Sequence, residues 1–151
     1  DKDAPKAFVY LRLAALTGSD DALTAIKSYL SSDNQGRQRV ALTALGGWPD
    51  DRAFDLVIEA LRSADLSAKF RKEAFNSALE LLKSNKKRSV EKNEELWTEV
   101  AKMAKTRAEK IKFMRVLTAN RGDWVLDILD YFENDSDDEV SFEAEKQKEK
   151  L

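Results

Sequence analysis

Residues 37–45 read Arg-Gln-Arg-Val-Ala-Leu-Thr-Ala-Leu, and residues 71–79 read Arg-Lys-Glu-Ala-Phe-Asn-Ser-Ala-Leu. Each stretch begins with Arg, has apolar residues three and four positions later, and ends in Ala-Leu. This spacing places the apolar side chains on one face of an α-helix, because an α-helix has 3.6 residues per turn. The two stretches start 34 residues apart, which is the length of two helices and their turns. We therefore predict a repeated helix pair.

Apolar residues recur at helical spacing along the rest of the chain, and short polar breaks divide it into nine helical segments. No run of alternating apolar and polar residues and no Asn-Gly or Asp-Gly hairpin signal predicts a strand. We therefore predict one all-α domain over residues 1–151. Its four antiparallel pairs span about residues 5–31, 35–63, 67–105 and 107–133, and a charged C-terminal segment covers 136–151.

The apolar stripes of the segments predict the core. Trp97 and Trp124 lie on stripes and Trp48 lies in a turn, so we expect core positions rather than partner contacts for all three. One leucine recurs at the same place near the end of the odd-numbered helices and is also predicted to point inward. Its copies are Leu16, Leu45, Leu79 and Leu117.

Capping residues predict several helix ends. Gly18 follows the first segment as a C-terminal cap, and Thr106 with Glu109 forms a capping box at the start of the seventh. Ser136 with Glu139 predicts a second capping box, at the ninth segment.

The ninth segment has few apolar residues. Its best anchors are Val140, Ala144 and Leu151. We therefore expect it to fray or to stay unpacked.

The repeated stretch resembles the first helix of a HEAT repeat, in which a turn Asp and an Arg precede an Ala- and Leu-rich helix that ends near Gly. Residues 45–51, Leu-Gly-Gly-Trp-Pro-Asp-Asp, are similar to inter-helix turns in bacterial HEAT-like domains. The two best copies are Asp33, Arg37, Ala41, Leu45 and Gly46, and then Asp65, Arg71, Ala74 and Leu79. The resemblance implies a right-handed α-α superhelix, a HEAT-like solenoid, whose second helices line a concave surface.

The same resemblance implies a non-catalytic scaffold that binds a protein or peptide partner on that concave surface. The exposed residues that it suggests as partner contacts are Arg52, Asp55, Glu59, Arg62, Glu95, Glu99 and Lys102. Two alternatives stay open. The chain binds nucleic acid through its basic segment 83–115, or it is an accessory domain of a larger exported enzyme.

The residue types argue against common catalysis. The chain has no cysteine and no histidine, which removes thiolate nucleophiles, the commonest general base and the commonest transition-metal ligand. Ser32-Asp33-Asn34 and Ser89-Val90-Glu91-Lys92 match fragments of a serine β-lactamase signature, but they occur in the wrong order and without Lys-Thr-Gly. None of the five glycines has phosphate-loop spacing. We expect no enzyme activity and no cofactor.

Three pairs of neighbouring aspartates precede predicted helices. They are Asp20-Asp21, Asp50-Asp51 and Asp137-Asp138. Negative charge at a helix start caps free N–H groups and opposes the helix dipole, so we expect these pairs to be structural rather than acid-base catalysts. A calcium loop starting at Asp135 would place Val140 where Gly is needed and Lys146 where Glu is needed, so we expect no metal site.

The charge distribution is uneven although the net charge is only −2. Residues 83–115 hold eleven basic and five acidic side chains, a local +6, and residues 116–151 hold four basic and eleven acidic, a local −7. We favour solvated blocks that partly neutralise each other over an acidic protein partner or nucleic acid. The nucleic-acid candidates are Lys86, Lys87, Arg88, Lys105, Arg107 and Lys110.

Apolar runs such as residues 13–16 are far shorter than the roughly 20 residues that span a bilayer. We therefore expect a soluble chain without membrane insertion. The start at Asp1-Lys2-Asp3 suggests either a mature exported chain or a domain of a longer protein, and the compartment stays open.

Overall fold

The computed structural model describes residues 4–63, 67–84 and 87–151. These residues form nine α-helices and a 3₁₀ turn at Asp51–Ala53, and they contain no strand, which confirms the prediction of an all-α fold. Asp65 of the second repeat copy and Lys86 of the basic segment lie outside the described residues. The helices are α1 (Ala4–Thr17), α2 (Asp20–Leu30), α3 (Gln35–Gly46), α4 (Phe54–Arg62), α5 (Ala68–Ser84), α6 (Val90–Met103), α7 (Arg107–Leu117), α8 (Asp123–Glu133) and α9 (Asp138–Lys148).

The chain divides into two compact units, Asp1–Lys87 and Arg88–Leu151. In each unit the helices pack against their neighbours in a helical-repeat-like manner. The superhelix and the four helix pairs stay predictions.

The central helix of the first unit is α3, which contacts α1, α2, α4 and α5. Ala41, Leu42, Ala44 and Leu45 are all at most 1% exposed, so its buried arc is wider than one apolar stripe. The reason is that α1, α2 and α5 all pack against α3, with a smaller contribution from α4.

The α3 and α5 helices approach most closely near Gly46. A Cβ atom at this glycine would lie 3.2 Å from the Ser77 Cα atom. The buried Ser77 hydroxyl donates a hydrogen bond of 2.7 Å to the Leu42 carbonyl oxygen. Small side chains and a hydrogen bond thus hold these two helices together. The sequence pattern predicted Gly46 only as the end of a helix and not as a contact between two helices.

The core of the second unit is aromatic. Trp97 contacts Phe113 edge to face with ring centroids 5.6 Å apart, and Phe113 lies 5.7 Å from Phe132. Trp97 and Trp124 are 1% and 6% exposed, which confirms their predicted core positions. The capping box of Thr106 and Glu109 at the start of α7 is also confirmed.

The prediction for the last helix was wrong in two respects. First, α9 packs against α7 and α8 and buries Val140 and Ala144 completely. Second, its N-cap is Asp137 rather than Ser136, because the Asp137 carboxylate accepts the Glu139 amide hydrogen. Leu151, the third predicted anchor, is 42% exposed.

The recurring leucine is buried in three of its four copies, Leu45, Leu79 and Leu117. Leu16 is 64% exposed, so its predicted inward orientation was wrong. The reason is that α1 packs mainly against α2 and α3, and Leu16 instead lines an open cleft next to α3 and α5.

The glycine that ends α1 predicts a measurable stability effect. Gly18 has a φ of +61°, and a Cβ atom there would lie 2.7 Å from the Pro49 Cγ atom. We expect Gly18→Ala to lower the free energy of unfolding by about 1–2 kcal/mol, because L residues are strained at this φ. Urea denaturation followed by circular dichroism measures the change.

The matched control is Gly47→Ala. Gly47 has a φ of −96°, and its added Cβ would meet only the Ala44 carbonyl oxygen, at an ordinary 3.6 Å. We expect a change within about 0.5 kcal/mol. Equal losses in both variants would contradict the assigned role of Gly18.

Candidate functional site

A groove of about 600 Å³ opens on the first unit between α2 and α4 and the first turns of α3 and α5. Its apolar floor consists of four half-buried side chains, Leu30, Leu56, Ala60 and Phe70. Its polar lining consists of Lys27, Ser31, Gln35, Gln38, Glu59, Ser63 and Ser67. The groove therefore combines an apolar base with hydrogen-bonding and charged groups.

Local sequence positions the two glutamines. Asn34 caps α3: its side-chain oxygen accepts the Arg37 amide hydrogen at 3.1 Å, and its carbonyl oxygen accepts that of Gln38. Gln35 and Gln38 fall in the first turns of α3, three residues apart and therefore on one face of the helix. The cap thus presents two neighbouring amide groups to the groove.

The four long polar side chains of the groove have no intramolecular partner within the part of the chain that the structure describes. They are Lys27, Gln35, Gln38 and Glu59. In contrast, the Ser67 hydroxyl accepts the Phe70 amide hydrogen and so caps α5. The four unpaired groups are available to a ligand.

Of the seven residues suggested as partner contacts, only Glu59 lines this groove. Asp55 and Arg62 are exposed on the same helix but outside the groove. The other three candidates, Glu95, Glu99 and Lys102, belong to α6 of the second unit. Sequence reasoning missed Gln35 and Gln38 because it placed the binding surface on the second helices and overlooked the first turns of the next helix. It also missed Lys27, because its partner contacts were taken only from the second and third pairs.

The seventh candidate, Arg52, serves the protein's own turns. Its guanidinium donates hydrogen bonds to the Gly18 carbonyl oxygen and to the Asp20 and Asp50 carboxylates, both at 2.8 Å. It also lies over the Trp48 ring, 5.8 Å from the centroid. The hydrogen bond from Arg52 lowers the pKa of Asp50. Arg52 therefore ties the turn after α1 to the turn after α3.

Trp48 is completely buried beneath this network, which confirms its predicted core position. Its indole N–H donates to the Asp50 carboxylate at 3.0 Å. Asp50 also caps the 3₁₀ turn through the Arg52 amide, while Asp20 and Asp21 occupy the first turn of α2. Together with the Asp137 cap of α9, these positions confirm the structural role predicted for the aspartate pairs.

In the second unit, basic residues of α7 pair with acidic residues before and within α9. The predicted partial neutralisation of the two charge blocks is thereby confirmed for these side chains. The contacts are Arg107–Asp137 at 2.7 Å, Arg107–Glu139 at 2.5 Å, Lys110–Asp135 at 2.5 Å and Arg115–Glu143 at 2.7 Å.

These pairs occupy two of the nucleic-acid candidates, Arg107 and Lys110. Arg88 donates to the Asn93 side chain at 3.4 Å, and Lys87 also has an intramolecular contact. Lys105 is exposed. The described residues include no group of three or more acidic side chains arranged to hold a metal ion.

Glu143 is the most deeply buried carboxylate of this set, with 7% exposure. Its oxygens accept hydrogen bonds from Arg115 at 2.7 and 3.1 Å and from the Gln147 amide at 2.7 Å. The Arg115 hydrogen bonds, followed by that from Gln147, lower the pKa of Glu143 from 4.5 to about 2 against the opposing effect of burial. The ionised form of Glu143 therefore stabilises α9 on α7.

This pKa predicts acid sensitivity. Because the folded-state pKa lies below the unfolded value of 4.5, the stabilisation is complete above about pH 5 and is lost as the pH falls toward 2. We expect Glu143→Gln to cost about 1–2 kcal/mol at pH 7, since solvent at the exposed Arg115 screens the pair. The variant should then lose less stability than the unmodified chain between pH 5 and pH 2.5.

Urea denaturation at several pH values measures both effects. The control is Glu145→Gln, which removes an exposed carboxylate two residues away on the same helix. It should leave the stability and its pH dependence nearly unchanged. If the free energy of unfolding fell equally with pH in the unmodified chain and in Glu143→Gln, the role of this ion pair would be contradicted.

Comparisons of the chain with protein families, with curated proteins and with solved structures found no match. Among the described helices, none has the length and apolar character needed to cross a bilayer. The groove and its side chains are therefore the features of the molecule that bear on its function.

Proposed function

We propose that the chain is a HEAT-like helical-repeat scaffold that binds an extended peptide segment of a partner protein in the groove of the first unit. The main support is the set of unpaired polar side chains, Lys27, Gln35, Gln38 and Glu59, around an apolar floor. The groove volume of about 600 Å³ falls in the range of ligand pockets. On this proposal the protein binds and does not catalyse.

The HEAT-like assignment is supported by the contacts that both repeated arginines make with the preceding helix, although the two contacts differ in kind. Arg37 of α3 lies over the Tyr29 ring of α2, 5.7 Å from its centroid. Arg71 of α5 donates to the Leu61 carbonyl oxygen of α4 at 3.3 Å. Each arginine thus joins its helix to the one before it, as expected for a repeated unit. The right-handed superhelix of four pairs is part of the same proposal.

The glutamines favour an extended peptide over a helix. A glutamine amide has both donors and an acceptor, so it pairs with the N–H and C=O groups of a peptide backbone. A helix satisfies its own backbone groups, whereas an extended segment leaves them open. Gln35 and Gln38 therefore bind the backbone, while the apolar floor takes a side chain from Leu-, Ile- or Phe-like residues.

The two charged residues contribute selectivity. Lys27 on α2 and Glu59 on α4 both line the groove, and both are exposed. Opposite charges of this kind favour a ligand that carries an acidic and a basic side chain in matching positions and disfavour the reverse order. The groove thereby selects both sequence and direction.

The two alternative functions, nucleic-acid binding and an accessory role in a larger exported enzyme, have less support. Three cations of the basic segment, Arg107, Lys110 and Arg115, are engaged by carboxylates of the same chain. Nucleic acid would have to break those ion pairs before its phosphates could pair with the three cations. The accessory role in a larger exported enzyme has no observation of its own.

A peptide selection tests the proposal. A random dodecapeptide library displayed on phage is panned against the whole chain, and the affinities of the selected peptides are measured by fluorescence anisotropy. We expect Glu59→Lys to weaken binding about tenfold, because it reverses a charge in the groove. Gln38→Ala should weaken it about threefold to tenfold through loss of backbone hydrogen bonds.

Asp55→Lys is the matched control, since it makes the same charge change one turn earlier on α4 and outside the groove. It should change the affinity less than about twofold. Selected peptides that bind all these variants equally would contradict the groove, and so would a selection that yields no peptide. Binding of a labelled single-stranded oligonucleotide at physiological salt, lost in Lys105→Glu, would favour nucleic acid instead.

A further inference from the structure

The α1 helix has two unlike apolar faces. Leu11 and Ala15 are buried against the rest of the first unit. The opposite face, which we name the α1 stripe, presents large apolar side chains to solvent. They are Val9, Tyr10, Leu13 and Leu16, which are 52%, 71%, 57% and 64% exposed.

The stripe is concentrated rather than scattered. Val9, Leu13 and Leu16 follow one another at i, i+4 and i+7, so they form a ridge along one side of the helix. No other helix in the described ranges exposes more than two large apolar side chains. Helices that are apolar on two opposite faces are usually buried on both of those faces. The uncovered face is therefore a binding surface rather than an ordinary solvent-facing one.

The charges of α1 indicate what covers the stripe. Between residues 4 and 17 the helix has two cations, Lys6 and Arg12, and no acidic residue. Within the described part of the chain, Lys6 makes no ion pair, and Arg12 lies only over the Phe8 ring, at 5.5 Å. These cations flank an apolar ridge. A second copy of α1 would bring like charges together, whereas a partner with carboxylates would neutralise them.

The C-terminal end of the stripe is concave. Arg12 and Leu16 also line a cleft of about 330 Å³ that continues onto α3 and α5. Gly46 and Gly47 contribute to its wall. A partner lying along α1 therefore has a depression in which to place an apolar residue next to Leu16.

From these observations we infer that the α1 stripe docks an amphipathic helix of a partner protein, with acidic residues along the margins of its apolar face. The ridge of Val9, Leu13 and Leu16 fits between the ridges of a second helix. Such a helix covers α1 on the side opposite Leu11 and Ala15. This surface differs from the peptide groove, to which α1 contributes no residue.

The test uses the whole chain and two synthetic helical peptides as probes. One 18-residue peptide has leucines on one face and glutamates along both margins, and the other has lysines in place of the glutamates. We expect the glutamate peptide to bind about fivefold more tightly than the lysine peptide in fluorescence anisotropy. Leu13→Glu should weaken it at least about tenfold, and Lys6→Glu combined with Arg12→Glu should reverse the preference.

The matched control is Val90→Glu, which places the same charge at an apolar residue of α6 that is 64% exposed. It should leave the affinity unchanged. Tyr10→Glu is a second stripe variant in case Leu13→Glu does not fold by circular dichroism. Equal affinity for both peptides, or no binding of the glutamate peptide, would overturn the inference. Analytical ultracentrifugation tests the other occupant, a second copy of the chain. A dimer would assign the stripe to that second copy if Leu13→Glu abolishes the dimer and the glutamate peptide does not compete with it.

Discussion

The close approach of α3 and α5 at Gly46 and Ser77 is the constraint on which the first unit depends. Because no side chain separates the two backbones there, α3 and α5 pack directly on each other, while α2 packs on α3 and α4 packs mainly on α5. The groove of the first unit is the space between α2 and α4 and the first turns of α3 and α5. The site is thus a consequence of helix packing, and its floor is the apolar surface that this packing leaves half covered.

Charge has a different role in the second unit. The buried carboxylate of Glu143 is hydrogen-bonded to the exposed Arg115, and Lys110 and Asp135 form another pair that is largely buried. The Lys110 hydrogen bond lowers the pKa of Asp135, so this carboxylate also favours the folded state when ionised. Carboxylates therefore attach α9 to α7 together with its two buried apolar residues, Val140 and Ala144. The uneven charge along the chain reflects packing between its own helices.

The sequence was sufficient for features that depend on neighbouring residues. Helix bounds followed from caps such as Gly18 and from the capping box at Thr106, because a cap involves only the next few residues. It was insufficient for features that depend on which helices meet. The docking of α9 requires a basic residue of α7 opposite Glu143, some 28 residues away. Similarly, the groove combines the end of α2 with the start of α3, and no periodicity within one helix indicates that combination.

Exposed charge alone does not identify a binding residue, as Arg52 and Glu59 demonstrate. Both side chains are exposed. Arg52 lies just before α4 and Glu59 lies on it, and both were predicted as partner contacts on the surface formed by the second helices. Arg52 uses its guanidinium on Gly18, Asp20 and Asp50, so a partner would have to break those bonds to recruit it. Glu59 has no such bonds within the described residues and can turn to a ligand without loss. What separates a charge engaged by the protein itself from one available to a ligand is therefore the intramolecular partner, which becomes visible only once the helices are packed.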